Sequence, residues 1–167
     1  RNVLADMALE VEAHIALAMR VSGAFDRQAD PREDALRRII TPVAKYWITK
    51  RCPVLVAEAM EVLGGIGYIE EAPLARLYRQ APLNSIWEGS GNIMSLDLLR
   101  ALSREPHTLP ALEAELAAAV GIHPAYDAYA ERLKDELSDP AMLECRGRRL
   151  AEKIALAIQA SLLLRHA

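Results

Sequence analysis

The sequence has few of the residues that β-sheets, disulfide frameworks and membrane spans require. Aromatic residues make up 5% of its 167 residues, and β-branched runs are scarce. Its two cysteines, Cys52 and Cys145, match no metal or disulfide spacing, and the four histidines are scattered. No apolar run approaches the roughly 18 residues of a transmembrane helix. These absences argue against a β-rich fold, a metal centre and a membrane protein, and they favour a reduced, cytoplasmic setting.

An excess of positive charge is also missing. The formal net charge is −3, which predicts no general attraction to nucleic acid. The chain begins with Arg1 rather than Met and enters helical periodicity at once. We therefore expect a piece of a longer protein, without a signal peptide.

Helical patterns fill most of the chain. Apolar spacing predicts a first helix that ends near Gly23 or Phe25, and Asp30-Pro31 is an N-cap signal for a second. Pro42 should bend that helix, and Pro53 should break or restart it. Further helices are predicted at 72–80, 91–103, 110–120, from the break at 121–124 to about 137, and, after a second N-cap signal at Ser138-Asp139-Pro140, through Leu162. We predict an all-α fold: an antiparallel helical bundle over residues 1–104, with a small helical C-terminal extension over 105–167.

Glycines concentrate in two clusters between these helices. The first is Gly64-Gly65-Ile66-Gly67, and the second is Glu88-Gly89-Ser90-Gly91-Asn92. The first cluster lacks the third glycine of a dinucleotide fingerprint and follows a helix, so a glycine-rich helix cap remains an alternative. In the second cluster, Glu88 taken alone is typical of an acidic residue at a helix start. Gly89-Ser90-Gly91 does not have the spacing of a nucleophile elbow.

Together with Arg76-Leu77-Tyr78-Arg79, these clusters resemble the C-terminal helical domain of the acyl-CoA dehydrogenase family. The family pattern is roughly Q-x-x-G-G-x-G-[YF], R-x-Y-R-D and I-Y-E-G-T, and this chain has variants of all three motifs in that order. The variants Leu-Gly-Gly-Ile-Gly-Tyr and Ile-Trp-Glu-Gly-Ser-Gly-Asn are most similar to the alkylation-response, AidB-type branch. The specific match covers about residues 55 to 100.

The resemblance implies an FAD-dependent enzyme that acts on an acyl-CoA thioester. Glu88 would be the base that removes the α-proton while hydride passes to the flavin. The resemblance also implies cofactor contacts from Glu61, Gly64, Gly65, Ser90 and Asn92, of which the first three would reach the FAD of a neighbouring subunit. Glu61 stands where the family often has Gln, and Ser90 replaces Thr but keeps the hydroxyl. We expect the chain alone to bind no FAD tightly and to be inactive.

A second hypothesis comes from another functional class. The chain could act as an oligomerisation and DNA-contacting module of an alkylation-response protein. Homo-oligomer formation, as a dimer or tetramer, is expected in either case. Non-specific contact with double-stranded DNA would need a local basic patch, for which the candidates are Arg100, Arg146, Arg149 and Lys153. The alternative for this basic face is an ordinary solvated helix surface.

Overall fold

The computed structural model describes residues 1–138 and 143–166, and all regular structure in these residues is helical. The prediction of an all-α fold is therefore confirmed. In chain order the helices are α1 (Asn2–Asp26), α2 (Pro31–Leu63), α3 (Gly65–Tyr68), α4 (Pro73–Gln80), a 3₁₀-helix (Ala81–Ser85), α5 (Gly91–Arg104), α6 (Thr108–Ala117), α7 (Pro124–Ser138) and α8 (Leu143–His166).

The start of α2 follows from its sequence. The backbone N–H of Arg32 donates to Oδ1 of Asp30 at 2.8 Å, and Pro31 occupies the first turn, where a missing N–H costs nothing. Glu33 stands at the position from which a carboxylate can close a capping box. Its carboxylate instead accepts two hydrogen bonds from Arg20 of α1. The helix start is therefore fixed by a local cap and by a contact between helices.

The interruption predicted at Pro53 is wrong, because α2 runs without a break from Pro31 to Leu63. A proline inside a helix removes one donor and costs about 3 kcal/mol. Here α1, α5 and α8 all pack along α2, the helix that contains both Pro42 and Pro53. Tertiary packing therefore outweighs the local preference. The bend predicted at Pro42 stays a prediction.

One hydrophobic core joins the two parts of the chain. α8 packs against α1, α2 and α5, and α6 packs against α2. The largest fully buried apolar side chains are Leu17, Leu36, Ile39, Ile40, Val43, Leu98, Leu112, Leu133, Leu150, Ile154 and Ile158. The helices predicted for the extension are present, while the division at residue 104 stays a prediction. Asp139 and Pro140, which belong to the second predicted N-cap signal, lie outside the described residues.

Residues 1–138 and 143–166 lack two further kinds of feature. None of the helices there is both long and apolar enough to cross a membrane. The same residues contain no group of histidine, cysteine and carboxylate side chains placed to hold a metal ion. Cys52 and Cys145 are both free thiols.

Candidate functional site

Glu88 lies in a loop that is hydrogen-bonded to a lysine of α2. The ammonium group of Lys45 donates to the backbone carbonyls of Asn84, at 2.5 Å, and Trp87, at 2.9 Å. Directly after this anchor, Glu88 has a φ of 53° and Gly89 a φ of 103°. A left-handed backbone is uncommon for a residue other than glycine. Its presence indicates that the surrounding contacts over-determine the loop, an arrangement that is concentrated at functional sites.

The loop leads into the N-terminus of α5, which lies directly on α2. A Cβ atom placed on Gly91 would be 2.7 Å from Cε of Lys50. Ser90 is the N-cap residue, but its hydroxyl makes no capping hydrogen bond, and Asn92 is exposed in the first turn. The backbone N–H groups of a first helical turn have no partner within the helix. This end of α5 can therefore donate hydrogen bonds to an electronegative group.

Glu88 itself is exposed on this chain. A carboxylate that serves as a base in an apolar site must lose water, so any covering of Glu88 has to come from groups other than the described residues. Its neighbours in the sequence suit such a covering, because the apolar side chains of Ile86, Trp87 and Ile93 are also exposed. The predicted base thus lies on an open surface with an apolar rim.

The other glycine cluster forms the turn at the end of α2. Gly64 has φ 64° and ψ −146°, a conformation that glycine alone adopts readily, and its N–H donates to the carbonyl of Glu61 at 3.0 Å. A Cβ atom on Gly67 would be 2.3 Å from the carbonyl oxygen of Met60. At Gly65 the same construction meets nothing within 4 Å. Conformation therefore explains Gly64, packing explains Gly67, and neither explains Gly65.

The predicted site residues fall on two separate surfaces. Glu88, Ser90 and Asn92 form the first, here the α5 surface, and Glu61, Gly64 and Gly65 form the second, here the α2 turn. The α5 surface lies beside Lys50, and Glu61 is eleven positions further along the continuous α2. At a rise of 1.5 Å per residue, Lys50 and Glu61 are about 16 Å apart along the axis of α2. A compact ligand cannot contact both surfaces of one chain, whereas an extended cofactor or two copies of the chain can.

The basic residues considered for DNA contact lie on α5 and α8. These two helices do pack closely, since a Cβ atom on Gly147 of α8 would be 3.0 Å from Cδ1 of Leu99 of α5. Arg100, Arg149 and the half-buried Arg146 and Lys153 are thus carried by neighbouring helices.

Two carboxylates lie against three of these four basic residues. Glu136 of α7 forms an ion pair with Lys153, and its Oε1 lies 4.0 Å from Nη1 of Arg146. Arg100 Nη1 lies 3.5 Å from Oδ1 of Asp97. A phosphate backbone needs uncompensated positive charge. The contacts within the described chain therefore do not support the DNA-contacting alternative.

Sequence reasoning missed Lys45 as a residue of the site. It is 42 positions from Trp87, and no motif connects the two. Its role depends on the packing of the 3₁₀-helix against α2. A lysine in an otherwise apolar stretch of a core helix was the one available signal, but it does not identify the loop to which the lysine binds.

Comparisons with known proteins cover nearly the whole chain. The family model of the acyl-CoA dehydrogenase C-terminal domain matches residues 1–103. AidB of Escherichia coli (strain K12) is 47% identical over 156 residues, which are 93% of this chain and 28% of that protein. Acyl-CoA dehydrogenase family member 11 of Caenorhabditis elegans is 42% identical over 77 residues, which are 46% of this chain and 12% of that protein.

Solved structures agree with the sequence matches. The Caenorhabditis elegans ACDH-11 structure, in complex with C11-CoA, superposes with a TM-score of 0.88 at 28% identity, covering 99% of this chain and 32% of that one. The apo form of Bd2924 superposes with a TM-score of 0.80, also at 28% identity, covering 93% of this chain and 31% of that one. The chain thus spans about a third or less of the length of these relatives. By sequence and by fold, it belongs to the acyl-CoA dehydrogenase family and contains that family's C-terminal domain.

Proposed function

We propose that this chain is the C-terminal helical portion of an FAD-dependent acyl-CoA dehydrogenase-like oxidoreductase, and that it supplies the catalytic base, Glu88. The observation that carries the proposal is the left-handed backbone of Glu88, held beside the open α5 N-terminus by the bond from Lys45 to Trp87. Since ACDH-11 was solved with C11-CoA, an acyl-CoA thioester is the proposed substrate. The activity proposed is that of the whole protein, of which this chain is one part.

The residues present fit a flavin that docks on both surfaces. The hydroxyl of Ser90 makes no capping hydrogen bond to α5, and Asn92 is exposed two positions further along the chain. At the α2 turn, the space beside Gly65 leaves room for close approach by another molecule. We infer that Ser90 and Asn92 hold the FAD of their own protomer, while Glu61, Gly64 and Gly65 contact the FAD of a neighbouring copy. When bound, FAD supplies hydride acceptance from the β-carbon of the acyl chain.

Glu88 performs the proton transfer in this proposal. Its carboxylate has no hydrogen bond or ion pair with any described residue, so it is free to accept the α-proton of the thioester. Covering Ile86 and Trp87 would exclude water from the same space, which favours proton transfer from a weakly acidic carbon. Lys45 keeps the carboxylate in place through the backbone, because it binds the carbonyls that precede Glu88.

Glu88→Gln in the full-length protein tests this role. Loss of a positioned base typically lowers the rate by about 10²–10⁴-fold. We therefore expect the flavin to remain bound. An acyl-CoA should bleach it at least about 100-fold more slowly than in the unsubstituted protein, which is the lower end of that range. Glu71→Gln, which changes an exposed carboxylate in the linker before α4, is the matched control and should react at the normal rate. Unchanged bleaching in Glu88→Gln would show that another residue is the base.

The isolated chain offers each surface only once and carries nothing to cover Glu88. We expect it to bind no FAD tightly and to have no dehydrogenase activity. Visible absorbance of the purified chain, which reports bound flavin, measures this directly. Stoichiometric yellow flavin on the isolated chain would contradict a site shared with other parts of the protein.

A further inference from the structure

A groove of about 620 Å³ separates α6 from α7. Seven apolar and four charged residues line it: Pro110, Ala114, Leu116, Ala117, Val120, Ala130 and Leu137, and Glu113, Asp127, Glu131 and Lys134. All of them lie beyond residues 1–103, which the family model of the C-terminal domain covers. The proposed dehydrogenase function therefore does not account for this groove.

The groove exists because α6 and α7 are held apart. Residues 118–123 connect the two helices, and a connection this short usually joins helices that pack as antiparallel neighbours. Here both helices pack against α8 but make few contacts with each other. Tyr126, near the start of α7, is buried, and its hydroxyl donates to the carbonyl of Leu116 on α6 at 2.7 Å. The N–H of Gly121 donates to Oδ1 of Asp127 at 2.9 Å. These bonds fix the facing ends of the helices, so the groove is part of the fold.

The groove is open to solvent and lies away from the core. Leu112 of α6 and Leu133 of α7 are buried in the core, and neither lines the groove. No described residue of α8 lines it either. Ala117 is exposed, and Val120 is 57% exposed. The two helices therefore present a second, uncovered apolar face, a feature that typically marks an interaction site.

The spacing of the apolar residues suits a helix as the occupant. Pro110, Ala114 and Ala117 follow one another at helical spacing on α6, and Ala130 and Leu137 are two turns apart on α7. Two parallel ridges of this kind can accept the apolar ridge of a third helix between them. The stretch from Pro110 to Ala117 is about 10 Å long, or nearly two helical turns. A helix in the groove would complete a four-helix arrangement with α6, α7 and α8.

Charges at the groove determine what should flank the apolar face of that helix. Glu113, Asp127 and Glu131 contribute three carboxylates and Lys134 one ammonium group, which gives a net charge of −2. Neither Glu113 nor Glu131 forms an ion pair with any described residue. Lysine and arginine side chains on a docked helix would be attracted to these carboxylates, whereas acidic side chains would be repelled. We propose that the groove between α6 and α7 binds an amphipathic helix of a partner protein, with an apolar face that is flanked by lysine and arginine.

The test measures how three rhodamine-labelled peptides of about 18 residues, or five helical turns, bind to the full-length protein. The first peptide has a leucine face flanked by lysines, and the second has the same leucine face flanked by glutamates. The third has the composition of the first in an order that forms no apolar face. By fluorescence anisotropy, we expect saturable binding of the lysine-flanked peptide, at least about tenfold tighter than that of the other two. Equal binding of either control peptide would overturn the proposal, because charge or apolar surface alone would then explain the binding.

A pair of neighbouring alanines assigns the binding to the groove. Ala117→Phe places a large side chain in the groove, and it should weaken binding of the lysine-flanked peptide at least about tenfold, because it occupies the space of the docked helix. Ala118→Phe changes an exposed alanine that does not line the groove, and it should leave the affinity unchanged. Thermal unfolding of each variant verifies that it is folded.

A second pair of variants tests the charges. Glu113→Gln combined with Glu131→Gln should narrow the preference for the lysine-flanked over the glutamate-flanked peptide. Salt at about 1 M, which shortens the screening length to about 3 Å, should narrow it in the same way. Asp135→Asn combined with Glu144→Gln removes the same charge from exposed positions outside the groove and should keep the preference. No saturable binding of the lysine-flanked peptide, or binding that is unchanged in a folded Ala117→Phe variant, would overturn the proposal.

Discussion

Arg20 of α1 and Glu115 of α6 form a two-bond ion pair across 95 positions of sequence. Nε of Arg20 donates to Oε1 of Glu115 at 3.0 Å, and Nη2 donates to Oε2 at 2.9 Å. The same guanidinium binds both oxygens of Glu33, and Arg165 of α8 donates to Oε1 of Glu115 at 2.9 Å. This network ties α1, α2, α6 and α8 together at one end of the core.

Arg20→Ala should destabilise the fold strongly. The side chains of Arg20 and Glu115 are only 12% and 6% exposed, so the substitution leaves a buried carboxylate with less compensation. Breaking a buried pair costs about 3–5 kcal/mol, and the lower value applies here because Arg165 remains. Arg27→Ala is the control: its side chain is 57% exposed and also binds Glu33, and its loss should cost less than about 1 kcal/mol. If urea unfolding showed the same decrease in the free energy of unfolding for both variants, the buried network would not be what stabilises the fold here.

Acid should weaken the fold through the same carboxylates. Burial alone would raise the pKa of Glu115, but hydrogen bonds and charge from Arg20 and then Arg165 lower it below the ordinary value of 4.5. Hydrogen bonds from Arg20 likewise lower the pKa of Glu33. A lowered folded-state pKa gives stability that is complete above the unfolded value and is lost as the pH falls through the folded value.

We therefore expect the free energy of unfolding to fall from about pH 5 downward, as these carboxylates take up protons. Glu115→Gln should be less stable at neutral pH and should show a shallower decline. Glu131→Gln, on the exposed side of α7, should keep the steep decline. Urea unfolding at several pH values measures both slopes. Parallel curves for Glu115→Gln and the unsubstituted chain would contradict this assignment.

The sequence predicted most helices because their signals are local. The Asp30-Pro31 cap and the apolar spacing of α5 both act within a few residues, and both are confirmed. The prediction at Pro53 is wrong because the proline penalty is local, whereas α2 as a whole is stabilised by packing against α1, α5 and α8. The short helix Gly65–Tyr68 was not predicted, since glycines indicate a turn and carry a poor helix propensity.

For the candidate site, the motifs indicated which loops to consider but not how far apart those loops lie in the fold. The clusters around Gly64 and Glu88 were visible in the sequence, yet their separation along α2 depends on the register of α5 against that helix. The ion pair between Glu136 and Lys153, and the approach of the same carboxylate to Arg146, depend on how α7 lies beside α8. Such pairings between distant segments leave no periodic pattern, so a single sequence does not indicate them.

Gly65→Ala and Gly67→Ala should separate cofactor binding from stability. A methyl group at Gly67 would clash with the carbonyl oxygen of Met60, so that variant should lower the melting temperature of the isolated chain. At Gly65 the methyl group meets no described atom. The free energy of unfolding of Gly65→Ala should therefore change by less than about 0.5 kcal/mol. In the full-length protein, Gly65→Ala should nonetheless reduce flavin content. Full flavin occupancy in Gly65→Ala would show that the α2 turn does not approach the cofactor.

Self-association should occur through the bundle and not through α6 and α7. On α1, Ile15 and Met19 are 58% and 66% exposed on one face, where contiguous apolar surface typically marks an interface. We expect the chain to be at least dimeric by light scattering at about 50 μM, where an interface of micromolar affinity is filled. Ile15→Glu with Met19→Glu should yield monomers. Val120→Glu, which charges an equally exposed apolar position beyond α6, should leave the mass unchanged. A monomeric unsubstituted chain would mean that another part of the full-length protein covers this face of α1.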